Sequence, residues 1–598
     1  MKKIFTAPDW VSDSLRFLHH SCARVAGRGV LGGLLLGLAG QGARAQAPAW
    51  QSAFAIQQGA SSSMFLNATS TDASGNVYLV GGFNGTVTFG ATTLSSASGS
   101  DVYVAKWSPS TSRYLWALRA GSGAMPKAVA VSGTSIYTTG YLTASTATFG
   151  TTVLTNADPA ASADVFVAKI TDAGTSASVT WALRAGGARY DYGQAIAVSG
   201  ANVYVAGEFD SVTSGFGSVT LANASTQYIT RDAFVAKVAD AGSSASFVWA
   251  QRAGSISGDG ASALAASGSS VYLGGYYTGY FIDFGSTRLA SNGGYEGFVA
   301  KLTDAGATST FEWAQRLSGP VDEQVRALTA SGTSVYVAGD FTSPAMTCGS
   351  TTLTNADNRS YIPDVFVTRL TDGGSAGTFD WAQRGGSSAS EESTSIAVSG
   401  ASVYVTGAAN GTSTTFGPVT APLSGRNDVF VVRLTDRGSA GTFNWVRQAG
   451  GAGDDFAKGI AVSGTQVYVA GYFNSSTAAF GSFNLTSAGT LANPAGFLAS
   501  LTDNGTLATA PPATLPGVSV SPNPAHGSAL LELPGGTGTT EARIGLTDML
   551  GRVVQSQVLV VPVGGLRTAL PLTGLAPGLY TLRVQAGAAA TTRQLAVE

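Results

Sequence analysis

An all-β chain is predicted by three features of the sequence. These are a strand motif repeated seven times, a Gly-rich and charge-poor composition, and an offset of one strand between the two ends of the repeat array. The clearest motif is a strand ending in Gly, as in Val77-Tyr78-Leu79-Val80-Gly81, Val203-Tyr204-Val205-Ala206-Gly207 and Val467-Tyr468-Val469-Ala470-Gly471. Its tyrosines, Tyr78, Tyr137, Tyr204, Tyr272, Tyr336, Tyr404 and Tyr468, are 59, 67, 68, 64, 68 and 64 residues apart. Such periods mark stacked supersecondary units. Charged residues are 11% of the 598, and Gly numbers 78, which suits short strands and tight turns rather than long helices.

Residues 1–45 read as an export signal. Lys2, Lys3, Arg16, Arg24 and Arg28 precede an apolar run from Val30 to Ala39, and Ala43-Arg44-Ala45 is a small-x-small cleavage pattern. The run is too short to span a bilayer, and no later segment has about 20 apolar residues. No transmembrane span is expected in the mature chain. Cys22 leaves with the signal, so Cys348 stands alone and no disulfide forms within the chain.

Residues 46–505 carry the repeats. An aromatic strand lies upstream of each tyrosine, at Phe54, Trp116, Trp181, Trp249, Trp313, Trp381 and Trp445. Downstream stand Phe-Gly pairs at Phe89, Phe149, Phe216, Phe284, Phe416 and Phe480, with Cys348 replacing Phe in the fifth copy. An alternating strand such as Asp164-Val165-Phe166-Val167-Ala168-Lys169 ends the unit. Each unit thus has about four strands, with a Ser-Gly hairpin turn such as Ser199-Gly200 between the second and third. Units of about 65 residues are marginal alone, so neighbours stack. The array starts at an aromatic strand and lacks one at its end. The segment from Trp50 to Gly59 therefore completes the last sheet, and the expected architecture is a seven-bladed β-propeller closed by an N-terminal strand, which protects the sheet edges. The Ala- and Gly-rich second strand of each unit suits the crowded axis.

These motifs resemble the bacterial SBBP β-propeller repeat over residues 50 to 505. That resemblance implies the fold and leaves activity open.

Pro511, Pro512 and Pro516 mark a linker, 506–516. Residues 517–598 return to strand-like alternation and read as a small immunoglobulin-like β-sandwich. They contain Ser521-Pro522-Asn523-Pro524, Asp548-Met549-Leu550-Gly551-Arg552 and Gly574-Leu575-Ala576-Pro577-Gly578-Leu579-Tyr580. This order of motifs resembles the type A C-terminal sorting domain of the type IX secretion system of the Bacteroidetes. The resemblance implies Pro522, Asn523, Pro524, Asp548, Gly551, Arg552, Gly574, Leu575, Pro577, Gly578 and Tyr580 as the motif residues. It implies the type IX machinery as a partner, export through the periplasm, and release or attachment at the outer-membrane surface. The competing reading is an ordinary adhesion-type sandwich.

Catalytic constellations are missing from the repeats. The histidines are His19, His20 and His526, so a Ser-His-Asp triad and a His-based zinc site are excluded there. A net charge of −2 offers no footprint for nucleic acid. One acidic position recurs nine residues before the Gly of the turn, as Asp191, Asp259, Glu323, Glu391 and Asp455, with Leu66 and Ala124 in the first two copies. At the channel mouth these acids form an arc suited to Ca²⁺; as local caps they accept turn N–H groups. Recurrence in five copies favours the cap, and no cofactor is expected. The recurring Arg and Lys positions, such as Arg184 and Lys169, read as surface partners of Asp172, Asp240, Asp304, Asp372 and Asp436, worth little each. Cys348 reads as core.

The expected function is non-catalytic: a secreted or surface-attached scaffold that binds an extracellular glycan or protein through loops such as Leu221 to Thr230. The alternative is an enzyme acting on extracellular polysaccharide with Tyr190, Asp191, Tyr192 and Asp455 as acids and bases.

Overall fold

The computed structural model describes residues 47–59, 61–158, 162–357, 361–487, 493–504, 517–534, 541–548, 553–562, 564–586 and 589–598. The signal segment 1–45, the linker 506–516, and Gly551 and Arg552 lie outside them. The described residues form strands and no helix.

Each repeat sheet has four antiparallel strands. In the third they are Asp191–Ser199, Asn202–Phe209, Asp232–Asp240 and Ala245–Gly254, hydrogen-bonded in that order. A hairpin inserted between the second and third strands leaves its own sheet. It pairs instead with the fourth strand of the sheet before, as Phe284 does with Ala253. The Phe-Gly motif is the end of this hairpin, a fifth and sixth strand beyond the four that the repeat pattern predicts. Cys348 takes the Phe position opposite Leu317 and is fully buried.

The N-terminal strand Trp50–Ala55 pairs with Ala495–Thr502 of the last repeat. Its register corrects one expectation. Ser52, and not Phe54, stands opposite Ser500, where the other sheets set a tryptophan opposite a basic residue, as with Trp249 and Lys237. Phe54 sits two residues further on and packs against Trp107, with ring centroids 6.0 Å apart. Spacing counted from the tyrosine differs because the turn at Asp72–Asn76 is longer than the others and the chain between Ser52 and Met64 is longer than that between Trp249 and Asp259.

The first strands of successive sheets lie side by side in chain order, from Ser63–Thr71 to Asp455–Ser463, and the last of these also lies beside the first. Between sheets, the recurrent charges are not surface pairs. Asp304 of the fourth sheet accepts Tyr204 Oη at 2.7 Å, Lys237 Nζ at 2.7 Å and Trp249 Nε1 at 3.1 Å, all from the third. Asp172, Asp240 and Asp372 receive the same three donors, and Asp436 and Asp503 receive Tyr and Arg. These aspartates are mostly buried, so the pairs hold one sheet to the next. An isolated pairwise spacing cannot reveal this, because each Lys reaches an Asp some 70 residues away in sequence rather than a neighbour on its own sheet.

The tail has a three-stranded sheet (Ser519–Ser521, Ser528–Pro534, Gly565–Pro571) and a four-stranded one (Val553–Val560, Glu541–Thr547, Gly578–Ala586, Ala589–Val597). Leu531, Ile544, Leu546, Leu570, Leu582, Val584 and Leu595 share its core.

Candidate functional site

The five recurrent acids begin the first strand of five different sheets, and all are buried. Each accepts a backbone N–H from the residue four before it: Gly187 to Asp191 at 2.6 Å, Ser255 to Asp259 at 2.6 Å, Gly319 to Glu323 at 2.7 Å, Ser387 to Glu391 at 3.0 Å and Gly451 to Asp455 at 2.7 Å. Serine hydroxyls add to this, Ser211 on Asp191 and Ser475 on Asp455. The carboxylates thus close local turns, and none of the five lines the cavity bounded by the first strands. Among the described residues no group of three or more His, Cys, Asp or Glu is placed to hold a metal ion. Burial pushes Asp191 up to about 7, Asp259 and Glu323 to about 8, and Glu391 to about 7. In the first copy the register puts Met64, not Leu66, at this position.

Three residues on, every first strand has a β-bulge. The pairing skips Asn67, Lys127, Gln194, Ser262, Arg326, Thr394 and Lys458 in turn. A bulge re-aims its extra residue out of the ladder. All seven line one cavity of ≈ 200 Å³, bounded by all seven first strands. Asn67 and Thr394 use their side chains to bond the next strand's backbone, at Pro126 O (2.7 Å) and Ala457 O (2.9 Å), and Ser262 does the same at Val325 O. Lys127, Arg326 and Lys458 bring charge into the same space.

One step further out, at the residues beside the buried acids, a second ring surrounds the cavity. Tyr192 meets Tyr141 with centroids 4.9 Å apart, and Tyr472 meets Phe65 at 5.4 Å and Phe456 at 5.5 Å. Tyr276 donates its hydroxyl to Glu208 at 2.9 Å, and Arg231 reaches the other oxygen of Glu208 at 2.9 Å. Asp340 holds Arg326 by two bonds, at 2.9 and 3.0 Å. Glu392 is exposed here. Of the four residues expected to serve an enzyme as acids and bases, Tyr192 is in this ring, Tyr190 stacks beside it at 6.3 Å, and Asp191 and Asp455 are buried away from it. The bulge and ring residues escape a search for repeats because they vary from copy to copy. Their signal is that variation, set against invariant flanks.

In the tail, Asn523 grips the final strand at both ends of its amide, donating to Gln594 O and accepting from Ala596 N, each at 2.8 Å. Tyr580 is buried and donates its hydroxyl to Ala576 O at 2.8 Å. Gly574 has φ +89°, a conformation that favours Gly, and Leu575 packs on the tail's core. Gly578 begins the strand that carries Tyr580, just after Pro577, while Pro522 and Pro524 flank Asn523. Asp548 follows the strand Glu541–Thr547.

No curated protein matches the chain. A protein of unknown function from Dyadobacter fermentans DSM 18053 is similar over 76% of this chain and 98% of its own, at 9% identity and a TM-score of 0.33. Dimeric latent PorU from Porphyromonas gingivalis is similar over 55% of this chain and 31% of its own, at 11% identity and a TM-score of 0.12. At these TM-scores neither likeness bears on fold or function. Residues 519–598 match the family described as "Secretion system C-terminal sorting domain". The segment gripped by Asn523 and Tyr580 is thus a secretion system C-terminal sorting domain, which marks the chain for type IX export to the cell surface or the extracellular space.

Proposed function

We propose that residues 46–505 form a seven-bladed SBBP-type β-propeller, closed by Trp50–Ala55, that acts outside the cell as a non-catalytic binding scaffold. The unbroken circuit of first strands supports the ring, as does the pairing of the N-terminal strand with the last repeat. The ligand meets the aromatic ring and the cavity behind it, rather than the loops alone.

One observation carries this reading. Positions between the sheets repeat with little change, because six of the sheet-to-sheet contacts set a Tyr and a Lys or Arg on an Asp of the next sheet. The bulge positions facing the cavity hold six residue types in seven copies: Asn, Lys, Gln, Ser, Arg, Thr and Lys. A scaffold repeats what it needs seven times and varies what a single ligand meets once. Half-buried tyrosines and phenylalanines offer flat apolar faces with polar tips, the mixture that pockets use to hold a ligand and orient it.

The enzyme reading has less support. Asp191 and Asp455 are spent on turns, and Glu208 and Asp340 are tied up with Arg231 and Arg326. A screen of extracellular polysaccharides for both retention and turnover tests the proposal. Retention without new reducing ends is expected; turnover lost in Glu392→Gln would overturn it.

A further inference from the structure

Lys127 and Lys458 are the unusual cations of the cavity. Arg326 has its carboxylate, held by two bonds, and Arg231 has Glu208. The two lysines have no ion-pair partner among the described residues. Lys127 Nζ lies over the Tyr141 ring at 5.7 Å, and Lys458 Nζ lies over Phe456 at 5.1 Å and Tyr472 at 5.6 Å. Cation–π contact offsets part of the cost of taking an ammonium out of water, but a charge without a hydrogen-bonded counter-ion remains costly. Burial lowers the pKa of both; Glu392 opposes this for Lys458, while Lys127 and Arg326 repel it across the shared space. Three cations therefore converge on one small volume; Lys127 and Lys458 have no bonded counter-ion, and Glu208 and Glu392 act on them only at a distance.

The bulge amide of Gln194 also faces this cavity and makes no hydrogen bond within the described residues. Outside it stand Tyr141, Tyr192, Phe456 and Tyr472. At ≈ 200 Å³ the cavity is smaller than the roughly 300–1,000 Å³ of pockets for drug-sized ligands, so it takes one sugar ring or its acid group.

Resting on the reading of the mouth as the ligand site, we propose that this cavity binds an anionic pyranose, a single acidic unit of an extracellular polysaccharide. Lys127 and Lys458 meet its carboxylate or sulfate, Gln194 meets a ring hydroxyl, and the aromatic ring packs on the apolar face of the sugar. The anion supplies the counter-charge that the lysines lack. Glu208 and Asp340 are held by arginines, which leaves the exposed Glu392 as the carboxylate of this ring that opposes an anion.

The test uses the secreted chain in titrations with polygalacturonate, its carboxyl-reduced counterpart, a sulfated galactan and a neutral glucan. The expected result is binding to at least one anionic polymer, weakened about tenfold or more in Lys127→Gln/Lys458→Gln and by rising salt. Preference for polygalacturonate assigns the group as carboxylate, and preference for the galactan assigns it as sulfate. Equal binding to the carboxyl-reduced and neutral polymers, if lost in Tyr192→Ala/Tyr472→Ala, would overturn the anionic inference while leaving the mouth as the site. Absence of binding to all four would contradict the mouth reading itself. Melting temperature guards against a folding artefact. Removing two half-buried charges that lack a bonded counter-ion should leave it unchanged or higher, whereas a fall would mean the lysines are structural.

Discussion

Ser52 and Ser500 face each other with hydroxyl oxygens 2.7 Å apart, at the register position where the other sheets set a tryptophan against a lysine or arginine. The seam between the last and first repeats lacks the charged lock altogether. Pro109 stands where the other repeats have the accepting aspartate, and Trp107 fills the space, 6.0 Å from Tyr468. The seam is held by strand pairing and apolar packing. On the opposite side of the last sheet, Arg447 of the sixth ties down the N-terminal segment, donating to the carbonyls of Ala47 and Pro48.

Deleting residues 47–59 should therefore expose the edge of Ala495–Thr502 and make the chain self-associate. The melting temperature should fall by on the order of 10 °C, as expected for several kcal/mol lost from a domain of this size. Size-exclusion chromatography and thermal melts check both. A monomer of unchanged stability would mean the strand closes nothing.

Between the other sheets, charge does what it cannot do at the seam. Asp304→Ala strands Lys237, Tyr204 and Trp249 without their acceptor, and loss of one partner of a buried pair costs about 3–5 kcal/mol. Asp283→Ala, which removes the exposed hairpin partner of Arg288, should cost less than about 1 kcal/mol. Denaturant midpoints of the two variants should differ accordingly.

Stability should depend on pH in two opposed ways. Asp259 holds its proton in the folded chain up to about 8, chiefly through burial, while an unfolded Asp releases it near ~3.9. Between those values the folded state binds more protons, so stability falls as pH rises. Asp191, Glu323 and Glu391 act in the same direction, ending near 7 to 8. In Asp172, Asp240, Asp304 and Asp372, burial raises the carboxyl, but the bonds from Lys, Tyr and Trp outweigh it and hold it below the ordinary range. In Asp436, Tyr, Trp and Arg do the same. Their contribution is present above the unfolded value and is lost as pH drops through the folded one. Melting temperature should peak on the mildly acidic side, and Asp259→Asn should flatten the decline toward pH 8.

Export rests on the tail. Deleting residues 519–598 should leave the protein in the periplasm. Asn523→Ala, which frees Gln594 O and Ala596 N from their shared clamp, should reduce surface or culture-medium protein. Cell fractionation measures both, and normal export of the deletion would contradict the sorting role.

What could be read from the sequence follows from what is built repeatedly. Tyr204, Lys237, Trp249 and Asp304 recur because one contact is made between sheet after sheet, so periodicity exposed them, although their burial was invisible. The N-terminal strand was legible from phase, but its register was not, because Ser52 resembles no other copy. Asn67, Lys127, Gln194 and Arg326 escaped for the same reason: a bulge leaves no turn residue to mark it, and the residue at that position changes between most copies. The tail was the most legible part, since its motifs fix the end of a short domain.

The most direct test of the account is a comparison of ligand binding in three forms of the secreted chain, namely wild type, Tyr192→Ala/Tyr472→Ala at the mouth, and Tyr228→Ala on an exposed loop. The polymer retained best by the wild type is titrated against each. The account expects binding lost in the mouth variant, with its melting temperature retained, and kept in the loop variant. Binding lost in Tyr228→Ala and kept in the mouth variant would contradict it.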